Sequence, residues 1–155
     1  MDRLWAPWRI KYVAAKKAKG CIFCRAQRDG RKSYVVLRSK YSIAMLNIFP
    51  YNNGHIMISP IRHIRDFAGL REEEALDLFR CLNKAKALLD KVIKPHGYNI
   101  GVNISKSAGA GVASHLHIHI VPRWRGDTNF MPVLSDTKVI PASLDELYKK
   151  IKDAA

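Results

Sequence analysis

Three of the six histidines lie within five positions, at His115, His117 and His119. The residues between and after them are apolar, so polar and apolar residues alternate as far as Ile120. Because alternate residues of a β-strand share a face, this run predicts a strand that presents three imidazoles on one side. Imidazole can act as a nucleophile, an acid, a base or a metal ligand near neutral pH. A solvated edge strand and a pure metal site are the alternatives, but the density of histidines favours catalytic chemistry.

Four further strands are predicted ahead of this run. Apolar and β-branched residues place them at 33–38, 41–47, 55–59 and 98–103. The turn-forming run at 50–54 joins the second and third of them into a hairpin. Because most strands are joined by short turns, we expect an antiparallel sheet packed against a long helix, which is an α+β architecture.

Two helices are predicted, a long one from Arg71 to Lys94 and a short one near the C-terminus. The apolar face of the long helix comprises Leu78, Leu82, Ala85, Leu89 and Val92. Glutamates at 72–74 and lysines near the other end suit the helix dipole, and Pro95 follows the helix. The short helix begins at Ser143, where Glu146 completes a capping box.

The length and composition indicate a single domain over 1–155, with a basic and aromatic arm over 1–20 and a C-terminal extension over 132–155. No apolar run approaches the roughly 20 residues that a membrane span needs. The N-terminus has no signal-peptide pattern, so we expect a cytoplasmic protein. The net charge of +14 favours anionic partners, either nucleic acid or a polyphosphate nucleotide, although it also serves solubility.

The three cysteines do not form a disulfide framework, because their number is odd and no export signal precedes them. Cys81 is expected in the core, on the apolar face of the long helix. Cys21 and Cys24 have the spacing of half a tetrahedral zinc site. A redox pair is the main alternative, but such a pair normally opens a helix in a thioredoxin-like fold. Surface thiols without metal are a third alternative.

The run His115-Leu116-His117-Ile118-His119-Ile120-Val121 resembles the His-φ-His-φ-His-φ-φ signature of the histidine triad (HIT) superfamily, where φ is apolar. The resemblance extends over most of the chain. The hairpin region at 46–64 is similar to the nucleotide-binding hairpin of the family, and 103–111 fits the loop that precedes the triad. The segments 3–9 and 121–131 resemble the branch of diadenosine tetraphosphate phosphorylases and related hydrolases.

This resemblance implies a fold and a reaction. The fold is an α+β unit with a half-barrel antiparallel sheet, paired as a homodimer through the long helix and a sheet edge. In the reaction, His117 attacks the α-phosphorus of a nucleotide, most often an adenine nucleotide, and forms a nucleotidyl-histidine intermediate. Water, inorganic phosphate or another acceptor then takes the nucleotidyl group.

The resemblance also implies roles for other residues. His119 donates to the phosphate oxygens or to the leaving group, and Asn103 contacts the phosphate side. Main-chain N–H groups around Gly111 can approach the phosphate, because glycine allows a close backbone. Asn47 would bind the ribose hydroxyls, and its alternative is a simple turn residue. Many family members carry a glutamine in the loop before the triad, which this chain lacks, so the donor that replaces it is open.

For the metal, the resemblance supplies the second half of the site. In zinc-bearing members, the remaining ligands correspond here to His63 and to His115. Together with Cys21 and Cys24 they would form a closed, structural coordination set with no open position.

The leading prediction is therefore an enzyme that hydrolyses or transfers nucleoside monophosphate units from dinucleoside polyphosphates. A nucleoside phosphoramidate hydrolase would use the same nucleophile on a phosphorus–nitrogen bond. A nucleotide- or RNA-binding module, which would use the basic arm and its aromatic residues, is an alternative of a different class.

Overall fold

The computed structural model describes residues 20–29, 32–127, 140 and 142–155. The predicted basic and aromatic arm lies outside these residues apart from Gly20. The segment 128–131 and most of the C-terminal extension ahead of its helix also lie outside them. Within the described ranges, no helix combines the length and the apolar character that crossing a membrane requires.

The described elements follow one another in the order expected of an α+β chain. They are α1 (Ile22–Ala26), β1 (Val35–Arg38), β2 (Ser42–Leu46), β3 (Ile56–Pro60), α2 (Glu72–Ile93), β4 (Gly97–Gly101), β5 (Ile118–Arg123) and α3 (Leu144–Ala154). Short 3₁₀ turns at Phe67–Gly69 and Lys106–Ala108 lie in the loops before α2 and after β4.

The five described strands form one antiparallel sheet in the order β1-β2-β3-β5-β4. β2 and β3 are the predicted hairpin, with Leu46 opposite Ile56. β5 lies between β3 and β4, so that His119 is opposite Met57 on one side and Gly101 on the other. The expected α+β architecture, an antiparallel sheet with one long helix and a C-terminal helix, is confirmed.

The two faces of the sheet bury different clusters. The helix face packs against α2 and α3, and its core includes Ile58 and Ile120. The opposite side, here called the histidine face, carries a smaller apolar cluster that joins Phe23 of α1 to Met57 of β3. Because successive residues of a strand point to opposite faces, His119 lies on the histidine face while its neighbours enter the core.

α2 matches the helix predicted from Arg71 to Lys94 to within one residue at each end. Glu74 closes its N-terminus, because its carboxylate accepts the backbone N–H of Arg71 at 2.9 Å. The same carboxylate accepts hydrogen bonds from the Arg62 guanidinium at 2.8 and 2.6 Å. Lys94 has a φ of +46°, the left-handed conformation that commonly ends a helix. Cys81 is buried in the helix-face core, as predicted.

The histidine strand is shorter than predicted, since β5 begins at Ile118 and not at His115. Ahead of β5 the backbone leaves the sheet, where Leu116 donates its N–H to the carbonyl of Ile64 at 2.7 Å. Ile64 lies in the loop after β3, so this bond is not part of the strand ladder. An alternating pattern gives side-chain direction, but it does not show where the partner strand ends.

Two other departures concern short segments. α1 was not predicted, because five residues are too few to show helical periodicity. Its buried residues are Phe23 and Ala26, and both belong to the cluster on the histidine face. β4 ends at Gly101, two residues before the predicted end of that strand, so Asn103 lies in the following loop.

The C-terminal helix begins where it was predicted. The hydroxyl of Ser143 accepts the backbone N–H of Glu146 at 3.2 Å and so caps the helix. Leu147 and Ile151 are buried on the helix face, next to α2. α3 therefore closes the core on the side of the sheet opposite the histidines.

The Arg62–Glu74 pair predicts how stability depends on pH. The Arg62 guanidinium, followed by the Arg71 N–H, lowers the pKa of Glu74 from 4.5 to about 2. A carboxyl whose pKa is lower in the folded state stabilises the fold above its unfolded pKa and loses this effect as the pH falls through the folded one. We expect Glu74→Gln to lower the free energy of unfolding by about 1–3 kcal/mol at pH 7. This is less than the full pKa shift corresponds to, because Arg62 is partly exposed and solvent weakens the ion pair.

Urea unfolding of both proteins between pH 7 and pH 2.5 measures this difference. The gap between wild type and Glu74→Gln should narrow steadily below pH 4.5 and would close fully only below the folded pKa of about 2. Glu73→Gln, at the exposed neighbouring position, serves as the matched control and should change stability little at any pH. An equally large gap at pH 3 and pH 7 would contradict the expectation.

Candidate active site and metal centre

His117 is a buried imidazole whose tautomer is set by the main chain. Its Nδ1–H donates to the carbonyl of His115 at 2.8 Å, so Nε2 carries the free lone pair. Burial lowers the pKa of His117 and outweighs this hydrogen bond, which acts in the opposite direction. His117 is therefore neutral at pH 7, with its Nε2 available as a nucleophile.

His119 is oriented by a second buried histidine, His55. The Nδ1 of His55 accepts the backbone N–H of Tyr51 at 3.1 Å, so the proton of His55 is on Nε2. That Nε2–H donates to Nδ1 of His119 at 2.8 Å. The proton of His119 is consequently on its own Nε2, which is buried and has no hydrogen-bond partner among the described residues. A free donor thus lies beside His117, with 4.8 Å between the two ring centroids.

This chain of hydrogen bonds requires neutral rings. Burial, together with the neighbouring His119 and His117, lowers the pKa of His55 to about 3. Burial and the neighbouring His117 lower the pKa of His119 to about 4. Near pH 7 each ring therefore has one donor nitrogen and one acceptor nitrogen, so the hydrogen bonds run in one direction only.

Sequence reasoning missed the contribution of His55 and Tyr51. His55 was assigned to the return strand of the hairpin, with no chemical role. Its position two residues before Met57 places it on the histidine face, which the alternation of the strand could have indicated. That β3 pairs with β5, and so brings His55 to His119, is a tertiary fact. The Tyr51 ring also covers this pair, at 4.5 Å from His55 and 5.6 Å from His119 between centroids.

Asn47 lies directly after β2, beside His55. Its side-chain amide contacts Nδ1 of His55 at 3.3 Å, and its Oδ1 accepts the N–H of Phe49 at 3.0 Å. Asn47 therefore contacts both the hairpin turn and the buried histidine His55.

Asn103 and Gly111 lie in the loop between β4 and β5. The pairing of β4 with β5 ends at Gly101 and His119, and Asn103 follows two residues after Gly101. Gly111 is exposed four residues before His115. The loop between them contains Ser105 with a φ of +74°, a conformation that is costly for a residue with a Cβ.

The predicted metal ligands converge although they come from three separate segments. One ligand atom each from Cys21, Cys24, His63 and His115 lies within 4.8 Å of the others. The Sγ of Cys21 lies 3.2 Å from Nδ1 of His115, and the Sγ of Cys24 lies 3.3 Å from Nδ1 of His63. The two Nδ1 atoms are 3.1 Å apart, and Cys24 Sγ is 3.7 Å from His115 Nδ1.

These distances suit a tetrahedral zinc ion. Nitrogen and sulfur ligands at about 2.0–2.3 Å from zinc lie about 3.3–3.8 Å from one another. The Nε2–H of His115 donates to the carbonyl of Pro60 at 2.9 Å, which leaves Nδ1 as the free ligand atom. Burial, followed by the adjacent Cys21, raises the pKa of Cys24, and a bound cation would relieve this cost by stabilising both thiolates. The donor set therefore fits zinc.

Comparison with known proteins identifies a family. The family model of the HIT domain matches residues 29–126. The AP-4-A phosphorylase of Mycobacterium tuberculosis is 38% identical over 154 residues, covering 93% of this chain and 79% of that protein. The bis(5'-nucleosyl)-tetraphosphatase of Schizosaccharomyces pombe is 35% identical over 95 residues, covering 61% of this chain and 52% of that protein.

Solved structures share the fold. A hypothetical histidine triad nucleotide-binding protein from Sulfolobus tokodaii gives a TM-score of 0.69 at 25% identity, covering 86% of this chain and 88% of that one. A zinc-bound histidine triad family protein from Mycobacterium smegmatis gives a TM-score of 0.70 at 23% identity, covering 87% and 92%. Because the family model spans more than half of the chain and the fold agrees, this protein belongs to the HIT family.

Proposed function

We propose that the protein is an enzyme that cleaves dinucleoside polyphosphates, such as diadenosine tetraphosphate, through a nucleotidyl-histidine intermediate. The observation that carries this proposal is the pairing of a free Nε2 on His117 with a free Nε2–H on His119. A nucleophile and a donor for the developing charge are the two groups that phosphoryl transfer needs here. The names of the relatives from M. tuberculosis and S. pombe support the substrate class.

In the first step, the lone pair of His117 Nε2 attacks the α-phosphorus. A P–N bond forms while the P–O bond to the leaving nucleotide breaks, and that nucleotide departs as a phosphate anion. The Nε2–H of His119 donates to the oxygen on which charge develops. The carbonyl of His115 stabilises the positive charge that His117 gains, because it accepts the Nδ1–H.

In the second step, an acceptor oxygen attacks the same phosphorus and the P–N bond breaks, which returns His117 to its neutral form. Water as the acceptor gives a nucleoside monophosphate, and inorganic phosphate gives a nucleoside diphosphate. We propose that Asn47 binds the ribose and that Asn103 and the main chain at Gly111 contact the phosphate. The phosphorylase name of the M. tuberculosis relative favours phosphate as the acceptor.

We also propose that Cys21, Cys24, His63 and His115 hold a structural zinc ion. Four protein ligands complete a tetrahedral shell, so the bound ion supplies cross-linking of three chain segments and no open position for substrate. His115 therefore has a different role from the other two histidines of the triad.

A homodimer through the long helix and the sheet edge is proposed on the basis of an exposed apolar surface. Ile100 of the edge strand β4 is 47% exposed and lies opposite Ile120, so it shares the helix face. Phe79 is 57% exposed and precedes Asp90 by three helical turns on the same flank of α2. Asp90 accepts the hydroxyl of Tyr98 in β4 at 2.7 Å, so that flank faces the edge strand.

The nucleophile is tested with His117→Ala. We expect turnover of diadenosine tetraphosphate to fall by at least about 10³-fold, because no other group provides the covalent step. Binding of adenosine monophosphate should persist within a few-fold. Activity close to that of wild type in this variant would refute the assignment.

The same assay identifies the acceptor. Wild-type protein is incubated with diadenosine tetraphosphate with and without inorganic phosphate, and the products are separated by chromatography. Adenosine diphosphate that appears only with phosphate indicates a phosphorylase, and adenosine monophosphate without phosphate indicates a hydrolase. Absence of any product would favour the nucleotide- or RNA-binding alternative.

The metal is tested by elemental analysis of the purified chain, which should contain about one zinc per protein. Cys21→Ser should lose the metal and about 3 kcal/mol of stability, which lowers Tm by about 10 °C. Cys81→Ala, at a thiol outside the cluster, should retain the zinc. Less than half an equivalent of zinc in wild type, with unchanged stability of Cys21→Ser, would exclude a structural metal.

The dimer is tested by light scattering after size exclusion. Ile100→Lys should shift the mass from about two chains to one, because a charge at the centre of an apolar interface is costly. Phe67→Lys, which changes an exposed aromatic residue in the loop before α2, should leave the mass unchanged. A monomeric wild-type chain would rule out this assembly.

A further inference from the structure

The nucleophile is not held by the sheet. His117 precedes β5, whose pairing with β3 begins at Ile118 and whose pairing with β4 begins at His119. Its backbone is fixed instead by hydrogen bonds that the two preceding residues, Leu116 and His115, make. Leu116 donates its N–H to the carbonyl of Ile64, and the His115 ring donates to Pro60.

Each of these two hydrogen bonds involves a proposed metal ligand or the residue next to one. Ile64 follows the ligand His63, and His115 is itself a ligand, so the two segments that position His117 are those that the metal would join. The carbonyl of His115 is also the acceptor that sets the tautomer of His117. Movement of His115 therefore moves the group on which the nucleophilic nitrogen depends.

Phe23 makes a second connection between the same two sites. It lies between the thiols Cys21 and Cys24 in the sequence, and its side chain has no exposed surface. Its ring centroid lies 5.1 Å from that of His115 and 4.8 Å from that of His117. The segment that carries the two thiols thus packs an aromatic ring against His117.

We propose that the metal centre orients the nucleophile, with Phe23 as a positioning residue that, together with the carbonyl of His115, holds the His117 ring in its reactive tautomer and direction. The metal itself touches neither substrate nor nucleophile. This inference rests on the proposed nucleophilic role of His117, and it adds that occupancy of the metal site controls the covalent step. Small errors in the direction of a reacting group are costly, since a displacement of about 1 Å can reduce a rate about 100-fold.

The test uses Phe23→Leu in the full-length, zinc-loaded protein. Leucine keeps an apolar side chain in the cluster but removes the flat ring that contacts His117. Three quantities are measured: zinc content, the ring ¹⁵N NMR signals of His117, and the rate of nucleotidyl-enzyme formation from diadenosine tetraphosphate after rapid quenching. The NMR signals are assigned by their absence in His117→Ala.

In wild type we expect a protonated Nδ1 and an unprotonated Nε2 on His117. Phe23→Leu should retain one zinc, show averaged ¹⁵N signals, and form the nucleotidyl-enzyme about tenfold more slowly. Affinity for adenosine monophosphate should stay within about threefold. Ile22→Leu is the matched control, because Ile22 belongs to the same helix and packs on the same cluster, and it should behave as wild type in every measurement.

Two results would overturn the inference. One is Phe23→Leu with zinc bound, wild-type ¹⁵N signals and a wild-type rate. The other is a slower rate with unchanged ¹⁵N signals, which would show that Phe23 does not act through His117. If Phe23→Leu does not fold, Phe23→Tyr, which keeps the ring, and Phe23→Met, which keeps apolar bulk, replace it. Tyrosine should retain the wild-type signals and methionine should lose them, and the reverse would refute the proposal.

Failure of the proposed function would be distinguishable. A wild-type chain that forms no nucleotidyl-enzyme refutes the covalent mechanism, whereas the ¹⁵N signals still report whether Phe23 and the metal orient His117. Removal of zinc with a chelator tests independently whether the metal orders the His117 ring. Folding of the metal-free chain is followed by circular dichroism. Loss of the ordered His117 signals in a folded, metal-free chain is expected, and their persistence would contradict the inference.

Discussion

The hydrogen bond from Nδ1 of His117 to the carbonyl of His115 is the interaction on which the candidate chemistry depends. A buried imidazole has two neutral tautomers, and only one of them leaves Nε2 free to attack phosphorus. The main-chain carbonyl of His115 supplies the acceptor for the Nδ1–H of that tautomer. The surrounding contacts, from α1 and from the loop after β3, keep this short segment in place where the sheet does not reach it.

A second constraint is that neighbouring imidazoles must stay uncharged. His55, His117 and His119 each lie within 5 Å of the next ring in the row. Positive charges on two neighbouring rings would therefore repel each other. Burial solves this problem, because it lowers their pKa values and keeps each ring neutral near pH 7. The positive charge of the protein is carried by lysine and arginine instead, and it can attract a polyphosphate without disturbing the nucleophile.

The strand order of the antiparallel sheet brings these histidines together. β5 lies between β3 and β4, so the histidine row meets the hairpin on one side and the loop after β4 on the other. The helix face is filled by α2 and α3, which leaves the opposite face for α1 and the candidate metal centre. The larger core and the histidine row therefore lie on opposite faces of one sheet, while the smaller apolar cluster shares the face of the histidines.

The sequence by itself determined the elements with long or strongly patterned signals. The helix around Leu82 and the hairpin around Gly54 follow from periodicity and turn residues. The face of His119 follows from strand alternation, and the candidate ligands Cys21 and Cys24 follow from their spacing and the family resemblance. Only the tertiary structure decided that β3 lies beside β5, which gives His119 its partner His55. It also decided that β5 starts after His117 and that Phe23 contacts the His117 ring. The physical reason is that periodicity reports the direction of a side chain, whereas its neighbours depend on contacts between residues that are distant in the sequence.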